Sequence, residues 1–211
     1  MHSGLEPEVW VPLNAVKIVY RERNAAIAQL WRDCEDAFRH VRNVPGSEVT
    51  VGAVSAGRLN KPVRFYSQRV AGRIWVFIEL PSGRCLTYPD VVEKEVKRRV
   101  EDENGVEYDL VKELQFFGRD SGQAGQWGRR STHGGVLVEN ITQAACLDLL
   151  AEALQRADQE GLEIIMHCHD EMVEDGGSPR LKEIMEHPAD WAPWPSLTKA
   201  VVHTGLRYGK F

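Results

Sequence analysis

The residues with the clearest capacity for chemistry in this 211-residue chain stand together at His167-Cys168-His169-Asp170-Glu171. Adjacent carboxylates following an apolar run repel each other and destabilise the fold unless a cation or basic partners compensate. A divalent cation is the economical compensation. Hard carboxylate oxygens suit Mg²⁺, which takes one or two carboxylates together with substrate phosphates. An ordinary polar hairpin turn is the competing reading of the same residues. His167 and His169, two apart on a strand, face one side and would suit zinc if a third ligand joined them. A second group, Glu139, Asn140 and Gln143, follows Gly134-Gly135. Amides three apart on one helical face can reach a common partner such as a base edge or a sugar, while helix capping and surface polarity explain them without a ligand.

These groups need elements to carry them. Val16, Tyr20, Ile27, Leu30, Trp31, Cys34, Phe38 and Val41 recur at three and four, with one wider gap, and predict a long helix from Leu13 to about Val41. Asn14 is its expected N-cap, and Asn43-Val44-Pro45-Gly46 its stop. Short β-rich runs follow at Val49 to Val54, Val63 to Tyr66, Ile74 to Leu80 and Cys85 to Tyr88, an antiparallel meander with a turn at Pro81 to Arg84. Val91 to Val100 reads equally as helix or strand. Its Lys94 to Arg99 cluster is a solvated face or, alternatively, a basic contact to a nucleic-acid backbone. Asn104-Gly105 signals a hairpin, after which Val106, Tyr108, Leu110, Leu114 and Phe116 fall on one face at period two. Arg119 to Gly135 is expected to be a long basic, Gly-rich loop, a kind of connection that is more often functional than idle. A second long helix is expected from Val136 to Gln159, with Gly161 just past its end. The apolar run Leu162 to Met166, the polar knot and Met172-Val173 then make a hairpin with charged groups at its tip. Ser178-Pro179 opens a short helix, and Val201 to Thr204 is expected to be a final strand.

With 43% hydrophobic and 27% charged residues, collagen, a disordered tail and a disulfide mini-protein are excluded. Cys34, Cys85, Cys146 and Cys168 form no Cys-x-x-Cys pair and are expected to be buried thiols of a reducing compartment. No membrane span or signal peptide is evident, which predicts a cytoplasmic protein. A formal charge of −5 argues against a chain that wraps nucleic acid by itself.

Trp127-Gly128-Arg129, Gly134-Gly135, Glu139-Asn140, Gln143-Ala144, Asp148 to Ala153 and His169-Asp170-Glu171 occur in an order that resembles the C-terminal palm segment of phage-type family A DNA polymerases. Weaker likeness extends outwards. Ala25 to Ala37 resembles the helix that follows the fingers, Leu80 to Arg84 with Leu86 to Pro89 resembles a β-insert, and Arg207 to Lys210 resembles the C-terminus. The resemblance implies an α+β fold, with long helices on a short antiparallel palm sheet that includes the motif C hairpin, plus a β-rich insert. It divides the chain into an extension (1–12), the helix after the fingers (13–44), the insert (45–118) and the palm segment (119–211). Asp170 would be the metal-ligating carboxylate, Glu171 its supporting acid, and His169 a neighbour of the primer terminus. Gln143, Asn140, Arg129 and Arg130 would contact primer-template DNA. Two Mg²⁺ ions would serve nucleotidyl transfer from deoxynucleoside triphosphates, in the host cytoplasm if the chain is phage-encoded.

Two family motifs are absent from the sequence: the first metal-binding Asp motif and the Arg/Lys/Tyr helix that grips the triphosphate. His133 replaces a usual Tyr, and Val136 a usual Lys. The resemblance therefore implies a split or truncated polymerase that is active only with a second polypeptide carrying the missing motifs. The alternatives are a non-catalytic DNA-binding remnant and a small metal-dependent hydrolase using His167, His169, Asp170 and Glu171. An exposed apolar face on the first helix or on the palm is the expected mark of the partnered form.

Overall fold

The computed structural model describes residues 7–52, 62–102, 105–119, 125–192 and 199–208. The elements run α1 (Pro7–Arg23), α2 (Ala25–Asn43), β1 (Glu48–Val51), β2 (Val63–Val70), β3 (Arg73–Glu79), β4 (Cys85–Tyr88), β5 (Val92–Asp102), β6 (Gly105–Arg119), β7 (Trp127–Thr132), α3 (Gly134–Gln159), β8 (Ile164–Cys168), β9 (Glu171–Glu174) and α4 (Arg180–Glu186). The strands form a four-stranded sheet β1-β2-β3-β4, a three-stranded sheet β5-β6-β7 and the hairpin β8-β9, all antiparallel. Mixed α and β structure with small antiparallel sheets is thus present.

The first helix is two helices. α1 already starts at Pro7, so Asn14 lies inside it rather than capping it. The break falls at Asn24, in the apolar gap of the sequence, where the backbone N–H and the side-chain Nδ2 both donate to Tyr20 O at 2.9 Å. A side chain that bonds the preceding turn competes with the helical ladder. Past it, α2 buries Cys34, Ala37, Phe38 and Val41 at spacings of three and four. These pack on Val51, Phe65, Val76 and Ile78 of the four-stranded sheet, and Tyr88, Val91, Leu114 and Leu137 complete the core. Phe38 and Phe65 are each 0% exposed, and each such burial contributes about 2–3 kcal/mol. Ser67, the polar residue in this wall, donates its hydroxyl to Val41 O at 2.6 Å.

Several expectations change in the sheets. β2 and β3 extend to a tight turn at Ala71-Gly72, whose φ values of 49° and 77° give the left-handed pair that a two-residue hairpin requires. Val91 to Val100 resolves as strand, because β6 pairs with it residue by residue from Val92↔Gln115 to Asp102↔Gly105. Its valine spacing of four is even, so it fits one face of a strand as well as a helix. The expected loop from Arg119 to Gly135 contains β7, in register from Leu114↔Thr132 to Arg119↔Trp127. Its Gly-Arg-Arg-Ser-Thr composition conceals a strand that forms on the edge β6 offers. Val201 to Thr204 forms no strand, and Val201 and Val202 are exposed. Ala53, Val54, Asn104, Trp194, Gly209 and Lys210 lie outside the described residues.

A second core joins Leu150, Ala153 and Ala157 of α3 to Met172 of β9 and Ile184 of α4. Gly161, at φ 74°, turns the chain out of α3. Ser178 Oγ accepts from Arg180 N at 3.1 Å at the start of α4. Of the four cysteines only Cys34 is buried, and Cys85, Cys146 and Cys168 are exposed. Cys85 opens β4 on its outward-facing positions. No helix among the described residues is long and apolar enough to cross a membrane.

Candidate functional site

Hairpin β8-β9 carries the acidic pair. Its last register pair, Cys168↔Glu171, leaves His169 and Asp170 as a two-residue turn, with His169 at φ 54°. Met172, 8% exposed, pins the hairpin to the second core, whereas Ile165 (61%) and Met166 (38%) face outwards. Asp170 therefore stands in solvent at the tip, with no hydrogen bond or ion pair among the described residues. Glu171 Oε2 accepts from the Tyr208 hydroxyl at 2.8 Å, and this bond pushes the Tyr208 phenol above its ordinary pKa. No group of three His, Cys, Asp or Glu that could hold a metal exists among the described residues. His167 and His169 thus gain no third ligand there for zinc. The single carboxylate of Asp170 does not by itself make a Mg²⁺ site.

α3 begins where two helices cross without a side chain between them. A Cβ on Gly134 would lie 1.9 Å from Trp31 O. The first-turn donors are held within the protein: Glu35 Oε2 accepts from Gly134 N at 2.9 Å and His133 Nδ1 from Gly135 N at 3.2 Å. Burial pushes the Glu35 carboxyl up, but hydrogen bonds from Arg39 and the Gly134 N–H outweigh it and hold its pKa below the ordinary value.

The amides of α3 do not share a partner. Asn140 Nδ2 donates to the buried Tyr88 hydroxyl at 3.0 Å, while Gln143 Nε2, in solvent, donates to Glu139 Oε1 at 3.3 Å. Burial pushes the Tyr88 phenol up. Arg129 is bound to the carbonyl and carboxylate of Asp90, which also receives Arg73 at 3.0 Å. Arg130 lies opposite Phe116 on the other face of β7 and is half-buried.

Three features were not legible as sites in the sequence. Asp148 receives Ser82 Oγ and Arg84 Nε, each at 2.5 Å, and Arg84 Nη2 reaches Ala144 O at 2.7 Å, so the β3-β4 turn is clamped to α3. Tyr208 reaches the hairpin across 37 residues of sequence. Phe117 and Trp127 stack with centroids 6.0 Å apart while remaining 40% and 64% exposed. Strand register sets the Phe117-Trp127 pair, and packing between segments distant in sequence joins the other two.

The DNA polymerase of Bacillus phage SP02 is similar to this chain, with 32% identity over 191 residues, which covers 85% of the chain and 24% of that protein. The chain thus spans about a quarter of the length of this curated relative. No protein-family model matches the chain. No solved structure matches it.

Proposed function

We propose that this chain is the C-terminal palm portion of a DNA-directed DNA polymerase of phage-type family A. The observation that carries the reading is the 32% identity to a phage protein named DNA polymerase, over 85% of the chain. The hairpin geometry agrees with it, since a solvent-facing carboxylate at the tip of an anchored turn suits a metal ion shared with substrate phosphates.

In this reading Asp170 offers one carboxylate to a two-metal site. Bound Mg²⁺ would supply activation of the primer 3′-hydroxyl and charge neutralisation on the triphosphate. Glu171, fixed by Tyr208, keeps a second negative charge beside Asp170, and His169 stands next to the primer terminus. Gln143 reaches minor-groove acceptors, which look alike for all Watson-Crick pairs and so serve an enzyme that must not read sequence. Arg130 contacts the DNA backbone. Asn140 and Arg129 act by bracing Tyr88 and Asp90 behind that surface.

The remaining carboxylate and the triphosphate grip lie on a segment outside this sequence that docks against it. Supporting this is the apolar surface left open on α1 and on β8: Val16 (65%), Ile18 (57%), Val19, Tyr20 and Ile165 are all exposed. Such surface marks an interaction site rather than a finished exterior.

Primer extension tests the proposal. The purified chain alone is expected to extend nothing, and to gain Mg²⁺-dependent synthesis when mixed with a polypeptide carrying the first Asp motif and the fingers. Asp170→Ala should abolish that synthesis. Extension by the chain alone, or full activity of the Asp170→Ala mixture, overturns the assignment. Primer-template binding without synthesis in any mixture favours the DNA-binding remnant.

A further inference from the structure

The outer face of the β6-β7 ladder carries a surface that the polymerase roles above do not use. Its register pairs on that face are Gln115↔Ser131, Phe117↔Arg129 and Arg119↔Trp127, because residues two apart on a strand share a side. Phe117 and Trp127 are diagonal neighbours there, stacked at 6.0 Å with 26° between their planes. A large stacked aromatic pair is normally buried, yet Trp127 is 64% exposed. These three pairs contribute two guanidinium groups and no carboxylate, in a chain whose formal charge is −5. The next pair outward, Lys94↔Glu113, is balanced. Arg129 is committed to Asp90, whereas Arg119 has no ion pair among the described residues and lies over Gly125 beside the rings. The face therefore presents flat π surfaces next to a cation with no ion pair among the described residues.

Unpaired nucleotides match that chemistry. Each carries a flat ring that stacks on an aromatic face and a phosphate that seeks a guanidinium, whereas a duplex hides its ring faces inside the helix. We propose that the Phe117-Trp127-Arg119 face is a stacking platform for single-stranded DNA, holding the unpaired template next to the primer-template duplex. This identification of the ligand as DNA rests on the polymerase reading above.

Fluorescence anisotropy with the full chain and a labelled oligothymidylate tests it, with a labelled blunt duplex measured in parallel. The platform predicts binding of the oligothymidylate that Trp127→Ala weakens about tenfold, that Phe117→Ala weakens comparably, and that Trp127→Phe largely restores. Arg119→Gln should weaken it and reduce the salt dependence by about one released counterion. Unchanged melting temperatures in these variants would show that the losses are local. Oligothymidylate binding that Trp127→Ala and Phe117→Ala leave unaltered overturns the platform, as does binding of duplex alone, and in both cases the polymerase reading survives. Failure of the wild-type chain to bind oligothymidylate overturns the platform, and the polymerase reading then stands or falls on primer extension by the mixture. If Trp127→Ala instead weakens only association with the fingers-bearing polypeptide, the face belongs to a protein partner and the proposal is wrong.

Discussion

Substitution of two neighbouring glycines by alanine should have unequal consequences. At Gly134 a Cβ would sit 1.9 Å from Trp31 O and 2.6 Å from Trp31 C, both backbone atoms of α2. Ordinary contact begins at 3.4 Å, so relief requires α2 and α3 to part by roughly 1.5 Å at their crossing. Neither contact belongs to a side chain that can swing away. Overpacking of this kind costs about 1–3 kcal/mol in a side-chain core, and a backbone obstacle places Gly134→Ala at the top of that range, about 3 kcal/mol. The separation would also draw Gly134 N away from Glu35. At Gly135 the nearest atoms are the His133 ring at 3.1 and 3.3 Å, which can rotate. Alanine there gains helix propensity of up to about 1 kcal/mol, offset by weakening of the His133 cap bond as the ring shifts. In thermal denaturation of a chain this size, 1 kcal/mol corresponds to about 2–4 °C. Gly134→Ala should therefore melt about 6–12 °C lower than wild type, and Gly135→Ala within a few degrees of it. Equal melting temperatures for the two variants, or a Gly134→Ala protein as stable as wild type, would refute the close crossing of α2 and α3.

Two further outcomes follow from burial and charge. A thiol-reactive dye should modify Cys85, Cys146 and Cys168 of the native protein quickly and Cys34 only on unfolding, because burial, reinforced by the nearby Asp33, pushes the Cys34 thiol up to about 12; four fast thiols would contradict the packing of α2. Glu35 is ionised to lower pH in the folded chain than in the unfolded one, so its charge stabilises the fold above the ordinary glutamate range, and that contribution is lost as pH falls through its folded value. Glu35→Gln should thus cost about 1 kcal/mol near neutral pH, modest because the Arg39 pair is partly solvated, with the difference closing in urea titrations once the pH falls below the ordinary glutamate range. A difference that persists in acid would mean the carboxylate charge is not what matters.

The periodic signals in the sequence carried far. The buried face of α2, α3 from its third residue on and a hairpin with Asp170 near its tip follow from apolar spacing, a glycine stop and a polar knot between apolar runs. What local reading missed depended on partners distant in sequence. β7 is a strand because β6 offers an edge, and its own composition gives no warning. Asn140 looked like a ligand group beside Gln143, but Tyr88, 52 residues away, takes its amide. Cys85, Cys146 and Cys168 were expected inside because thiols usually are, although nothing in their spacing specified a side. Asn24 shows the reverse case, a local hydrogen bond that divides a helix whose apolar pattern continues across the gap.

The clamp between the β3-β4 turn and α3 bears on how this chain can vary over time. Arg84 seats at once on a carboxylate and on a helical carbonyl, so a residue gained or lost between Leu80 and Cys85 would unseat both contacts together. Among the described residues the β5-β6 ribbon shows no such tether, and β5 contacts mainly β6. Lineages should accordingly tolerate insertions and deletions at the end of the ribbon and keep the turn at one length. Exchanges at Arg84 should be accompanied by exchanges at Asp148. For anyone grafting a tag or a reporter into the chain, the ribbon end is the place of entry.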